Sequence, residues 1–245
     1  MFTSDVAYDN FMGRFSSRLA PVFADFAGVE SGARVLDVGA GTGALTGELV
    51  TRGAEVAAVD PSPAFAATLR SRFPGIDARE GAAEDLPWPD ESFDAALAQL
   101  VVAFMADAPA GIAEMRRVVR PGGAVAVCMW TRDGMELLAA VNRTQAAITP
   151  ERSADVSPYR TGEAARLLLG DDAEVETLTV EAGYSGFDDL WSAISGGVGP
   201  AGVWLDSLTE EQRAAAREEL YRQVGEPDGP FTLTGRAWAA RVTRA

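Results

Sequence analysis

Residues 34–43 read RVLDVGAGTG, an apolar run that breaks into alternating glycines at Gly39, Gly41 and Gly43. Ordered glycine costs conformational entropy, so three within five positions mark a backbone that turns sharply or lets another group come close. A helix-like segment follows at once, and the alternation then repeats. Apolar runs at 34–38, 55–59, 76–80, 93–98 and 124–129 are separated by helical segments at 43–52, 62–73 and 107–120. Short strands alternating with helices in this way form βαβ units around a mostly parallel sheet. Ser62 and Pro63 supply an N-cap and a first-turn proline, and Arg120-Pro121-Gly122-Gly123 halts the third helix before the fifth strand. Within that helix Ile112, Met115 and Val119 recur at helical spacing, as a stripe packed on a sheet does.

Segments outside this pattern are read as additions. Before the first strand, 8–27 carries Phe11, Met12, Phe15, Leu19 and Phe23, enough apolar surface for a bent amphipathic helix on the sheet's upper edge. After the fifth strand, 134–148 is helix-like, a polar loop runs to 161, and further strands are expected at 175–181 and 238–243 with a solvated acidic helix at 210–224 between them. The expectation is one domain over 1–245: a helical cap at 1–30, a core at 31–130, and an acceptor-side insertion with the last strands at 131–245.

The chemistry is narrowed by what the chain lacks. All 21 basic residues are arginine and there is no histidine, which excludes a Ser-His-Asp triad, a histidine zinc site, a lysine Schiff base and a P-loop lysine within this chain. No metal site is expected. A net charge of −15 argues against a sequence-independent grip on nucleic acid or an anionic membrane and favours small-molecule partners. MFTSDVAYDN shows no secretory signal and no apolar stretch is long enough to span a bilayer, so a cytoplasmic protein is expected. The single Cys128 sits in an apolar run and reads as a buried structural thiol.

Gly39 to Ala44 satisfies the dinucleotide pattern GxGxxG/A, a weak signal alone. Asp60 ends the run EVAAVD, where an acidic side chain can accept hydrogen bonds from both ribose hydroxyls of a nucleoside. Its other reading is a cap before Pro61-Ser62-Pro63, and both roles are compatible.

Four motifs in order, LDVGAGTG, VDPS, AEDLPWPDESFD and RRVVRPGG, resemble the class I S-adenosylmethionine-dependent methyltransferases, particularly the small-molecule group related to ubiquinone and menaquinone C-methyltransferases. The resemblance covers 8–130 and thins beyond. It implies a Rossmann-like α/β fold, a doubly wound, mostly parallel seven-stranded sheet with the last strand antiparallel, and S-adenosylmethionine as cofactor. Gly39, Gly41 and Gly43 would lie under its methionine part, with Asp37 fixing the loop or the amino group. Asp60, followed by Pro61, would take the ribose; the backbone of Ala83 and Glu84 would face adenine; Gln99 would sit beside the sulfonium. Tyr8 and Arg14 would lie near the carboxylate, the competing reading being that Arg14 pairs with a surface carboxylate. Many relatives carry an aspartate where this chain has Ala82, so Glu84 or Asp85 substitutes or affinity is lower.

The reaction implied is in-line methyl transfer to a small apolar or aromatic metabolite by a monomer or homodimer, with no general base assigned. The acceptor pocket is expected from the N-terminal helix, 130–148 and 187–194. Two alternatives stand beside it: a protein that binds the same cofactor for a non-methylating reaction such as cyclisation or decarboxylation, and a nicotinamide-dependent oxidoreductase.

Overall fold

The computed structural model describes residues 9–150, 158–196 and 199–245. In chain order its elements are α1 (Gly13–Ala27), β1 (Arg34–Val38), α2 (Ala44–Thr51), β2 (Glu55–Asp60), α3 (Pro63–Arg72), β3 (Asp77–Glu80), β4 (Phe93–Gln99), a 3-10 turn (Val102–Phe104), α4 (Ala108–Val118) and β5 (Val119–Met135). Then follow α5 (Glu136–Ile148), α6 (Gly162–Leu169), β6 (Glu174–Tyr184), α7 (Phe187–Ile194), α8 (Gly199–Asp206), α9 (Glu210–Gln223) and β7 (Phe231–Thr243). The strands form one seven-stranded sheet in the order β3-β2-β1-β4-β5-β7-β6.

The chain divides into two compact units. The first comprises Ser16–Thr131, Ser157–Leu178 and Ala237–Ala245. Here β1 pairs in parallel with β2 on one side and β4 on the other, so strand order reverses between β1 and β4. In a doubly wound sheet that reversal opens a crevice at the carboxyl ends of the strands. β7 runs antiparallel to β5, since Arg244 at its end exchanges backbone hydrogen bonds of 2.8 Å with Gly122 and Gly123 near the start of β5. Leu36, Val38, Ala96, Val125, Val127 and Trp238 are buried together in the core of this sheet, and α4 and α6 pack against one another.

The helix starts follow the sequence. Ser62 Oγ accepts from Phe65 N ahead of Pro63, and Asp107 Oδ1 accepts from Ala110 N at the head of α4. Three stretches differ from expectation. Arg120-Pro121-Gly122-Gly123 does end the helix, but the chain there is already strand: β5 begins at Val119, opposite Phe93, and a register irregularity follows. Gly123 permits this, because a Cβ at that position would lie 2.4 Å from Asp94 O. Neither α6, which has no side-chain cap, nor α8, in a glycine- and proline-rich run, is among the expected elements.

The second unit comprises Met1–Phe15, Arg132–Val156 and Thr179–Arg236. Helices α5 and α9 pack together, and Arg143 Nε donates to Gln223 Oε1 between them. Trp204 Nε1 donates to Thr149 Oγ1 in its interior, and a capping box of Thr209 and Gln212 starts α9.

Candidate functional site

The crevice of the first unit is built on the turn between β1 and α2. Gly39 N and Ala40 N both donate to Val59 O, at 2.8 and 3.0 Å, which folds the turn back onto the end of β2. Asp60 completes the clasp: its Oδ2 accepts from Gly41 N at 2.9 Å and its Oδ1 from Ser62 N at 2.8 Å. Each carboxylate oxygen then keeps one lone-pair direction for a further donor. Asp60 is 6% exposed, and this burial raises its pKa against the lowering effect of the two backbone donors. Pro61 is exposed beside it.

The glycines of the turn have different neighbours. All three have positive φ, +69° at Gly39, +57° at Gly41 and +92° at Gly43, which side-chain-bearing residues rarely adopt. A Cβ at Gly39 would lie 2.3 Å from Val101 Cγ2, and one at Gly43 would lie 2.5 Å from the Phe73 ring. Those two glycines are needed for packing. At Gly41 no atom of the described residues lies within 4 Å of the Cβ position, so this glycine opens on a cradle that a ligand backbone can approach. Helix α2 begins directly after, with Gly43 at its N-cap and no side-chain cap, an arrangement that favours an anionic group.

Asp37 lies beneath the turn rather than in its mouth. It is 1% exposed, and Thr46 Oγ1 donates to its Oδ2 at 2.6 Å. Burial, the largest influence, pushes its carboxyl up to about 7, and the nearby Asp60 adds to the rise. Asp37 thereby fixes the start of α2 to the end of β1. The sequence contained no signal for Thr46 beyond its position on the helix.

Gln99 closes β4 level with the glycine turn, since Asp37 pairs with Leu97 two residues earlier. Its Nε2 donates to Ser16 O at 3.1 Å, while Oε1 is buried and has no hydrogen-bond partner among the described residues. Leu100 next to it holds φ +64° and donates to Cys128 O, and Val101 is the residue that fills the space over Gly39. Phe104, on the 3-10 turn just beyond, is 60% exposed. The resemblance named Gln99, whereas Ser16, Leu100 and Val101 carry no sequence signal, because their roles rest on backbone geometry.

On the other flank, Ala83 is buried, and the Glu84 carboxylate accepts from Asp107 N at 3.0 Å, tying this loop to the start of α4. Glu84 is thus engaged at the helix start, and Ala82 and Asp85 are exposed. Cys128 is fully buried, and burial raises its thiol well above the usual range.

The first unit therefore brings together Asp37, Gly39, Gly41, Gly43, Asp60, Pro61, Ala83, Glu84 and Gln99. Arg14 belongs to the second unit, where its guanidinium forks onto Asp189 at 2.5 and 3.0 Å, donates to Gly183 O and stacks on Tyr184. Tyr8 lies outside the described residues. Among the described residues no cluster of acidic or cysteine side chains could hold a metal ion, and no helix is long and apolar enough to cross a membrane.

Residues 36–127 match the family described as a methyltransferase domain. An uncharacterised methyltransferase of Mycobacterium tuberculosis is 46% identical over 100 residues, 41% of each chain. The demethylmenaquinone methyltransferase of Tropheryma whipplei is 40% identical over 104 residues, covering 41% of this chain and 43% of its own. The chain thus spans about two-fifths of the length of these curated relatives. An S-adenosylmethionine-dependent methyltransferase from Aquifex aeolicus superposes with a TM-score of 0.55 at 14% identity, covering 98% of this chain and 99% of that one. The fold is that of these enzymes, and the resemblance to class I methyltransferases holds over the segment that carries the crevice.

Proposed function

We propose that this chain, whose residues 36–127 match the methyltransferase domain family, is an S-adenosylmethionine-dependent methyltransferase acting on a small apolar or aromatic metabolite. The observation that carries the reading is the cradle at Gly41, open where its neighbours are packed and flanked by Asp60 at the point of strand reversal. Acceptors at this rim also fit a ligand rich in donors: each Asp60 oxygen keeps a lone-pair direction beyond its bond to Gly41 N or Ser62 N, and Gln99 Oε1 has no partner among the described residues.

S-adenosylmethionine supplies a methyl group already activated on a sulfonium, so no metal or covalent intermediate is needed. The chain's own residues bind, orient and exclude water. Asp60 would accept from the ribose hydroxyls while holding the turn through Gly41 N. Gly41 would lie under the amino-acid portion, and the backbone of Ala83 and Glu84 would flank the adenine. Arg14 is already satisfied by Asp189, so we assign the carboxylate no arginine partner. Phe104 is an exposed aromatic surface near the rim for an apolar acceptor. Reaction then depends on alignment in a water-poor site, which can supply several orders of magnitude in rate.

Calorimetry with S-adenosylmethionine, its demethylated product and NAD tests the cofactor class. We expect the first two to bind and NAD not to. Transfer of labelled methyl groups into a metabolite extract then tests the reaction; binding without transfer would favour a non-methylating use of the same cofactor.

A further inference from the structure

We propose that the carboxyl end of α3 sets how firmly the crevice holds the amino-acid end of its ligand, with Arg72 as a positioning residue that acts through the Thr42 carbonyl. The inference rests on the reading that S-adenosylmethionine lies over the glycine turn, and it gives a role to a helix end that the reading leaves unused.

The turn is held from two sides. Its near half is fastened to β2, where Val59 O accepts from Gly39 N and Ala40 N, and Asp60 Oδ2 accepts from Gly41 N. Its far half is fastened to α3. Arg72 Nη1 donates to Thr42 O at 3.1 Å, and the Phe73 ring at the C-cap lies so close to Gly43 and Gly47 that a Cβ there would meet it at 2.5 and 3.2 Å. Leu69, one turn earlier, also borders Gly43, 3.0 Å from its Cβ position. The other end of α3 is anchored by the carboxylate that clasps Gly41, since Ser62 N donates to Asp60 Oδ1. The helix is thus a strut joining the two halves of the turn. It ends at the right length because Pro74 and Gly75 follow, Gly75 at φ +110°.

Thr42 stands between the open Gly41 and the N-cap Gly43, both at positive φ and neither with a side chain to pin it. The peptide unit after Thr42 is instead held at both ends: its oxygen accepts from Arg72, and its N–H, that of Gly43, donates to Ala40 O at 2.9 Å. A glycine segment left loose must lose its conformational freedom when a ligand orders it, which weakens binding; one ordered in advance does not. The held peptide leads directly into the uncapped start of α2, where an anionic group is favoured, and the guanidinium adds positive charge beside it. The effect is therefore confined to ligands whose amino-acid portion reaches the turn. Adenosine, which lacks that portion, is indifferent to it.

The test is calorimetry of S-adenosylmethionine, S-adenosylhomocysteine and adenosine on wild type, Arg72→Met and Arg72→Lys, with thermal unfolding and amide hydrogen exchange at Gly43 in the unliganded proteins. Arg72 is exposed, so both variants should fold with midpoints near that of wild type. In Arg72→Met, exchange at Gly43 should quicken and both S-adenosyl ligands should bind about 3- to 10-fold more weakly, with adenosine unchanged. Arg72→Lys keeps a charged donor and should recover most of the loss. A merely structural arginine would shift the midpoint and all three affinities together. Unchanged affinity for the S-adenosyl ligands in Arg72→Met, a loss shared by adenosine, or no recovery with lysine would overturn the proposal. Failure of wild type to bind any of the three ligands would instead reject the cofactor reading, a different result from an Arg72 that leaves affinity alone.

Discussion

Burial raises the Asp37 carboxyl from 3.8 to about 7, against the hydrogen bond from Thr46, and this makes stability depend on pH. The folded chain holds the proton more tightly than the unfolded one. The contribution is therefore fully present below pH 3.8 and is lost as pH rises through 7. Between pH 5 and 8 the loss should be about 2–3 kcal/mol, and Asp37→Asn should abolish most of that slope; urea unfolding at the two pH values measures both. The glycines make a second contrast. Gly39→Ala sets a methyl group against Val101 at positive φ and should cost about 2–3 kcal/mol of stability. Gly41→Ala meets none of the described residues and should cost only about 1–2 kcal/mol from its backbone conformation, yet weaken cofactor binding at least tenfold. Thermal unfolding beside calorimetry separates the two effects; equal binding losses at equal stability would deny Gly41 its special position. In the sequence these glycines are indistinguishable, because their difference lies in Val101 and Phe73, which reach the turn from distant positions.

At the scale of elements, the loop between β3 and β4 shows how the acidic run 84–91 is tamed. Arg117 on α4 donates to Leu86 O, Trp88 O, Glu114 and Asp90, while Glu114 Oε2 accepts from Leu86 N. Arg117→Ala should therefore loosen the loop, lower stability by about 1–2 kcal/mol and speed amide hydrogen exchange at Leu86. Adenosine affinity should drop severalfold with it, since Ala83 and Glu84 sit on the same loop; an unchanged affinity would separate the adenine site from this segment. The units β1 to β4 were readable because their punctuation is local: glycine after β1, Ser62-Pro63 before α3, Asp107 before α4. The later helices were not. α6 is only eight residues long, without a side-chain cap, and α8 opens on Gly199 and Pro200, so each is fixed by burial of residues such as Leu169 and Trp204 rather than by a start signal. The length of β5 was hidden for a related reason, since Pro121 and the two glycines after it are admitted by close passage over Asp94 O and pairing with Arg244.

For the whole molecule, binding and stability are linked. A ligand that binds only the folded state at 100 times its dissociation constant stabilises by about 2.7 kcal/mol. For a chain of 245 residues, each kcal/mol moves the thermal midpoint by about 2–4 °C, so saturating S-adenosylmethionine should raise it by about 5–10 °C. NAD at the same concentration should leave it unchanged; because the uncapped start of α2 and the carboxylate of Asp60 also suit a dinucleotide, a rise with NAD would overturn the cofactor reading. Asp60→Ala removes the clasp on Gly41 N as well as the ribose acceptor, so two effects must be told apart. The unliganded midpoint reports the clasp, and the ligand-induced rise reports the ribose bonds. We expect a modest fall in the first and, at unchanged ligand concentration, loss of about two-thirds to nine-tenths of the second, matching a 30- to 150-fold weaker affinity if about 2–3 kcal/mol of hydrogen bonding is removed. A full ligand-induced rise in the Asp60→Ala protein would mean that the ribose is held elsewhere and that this carboxylate serves the turn alone.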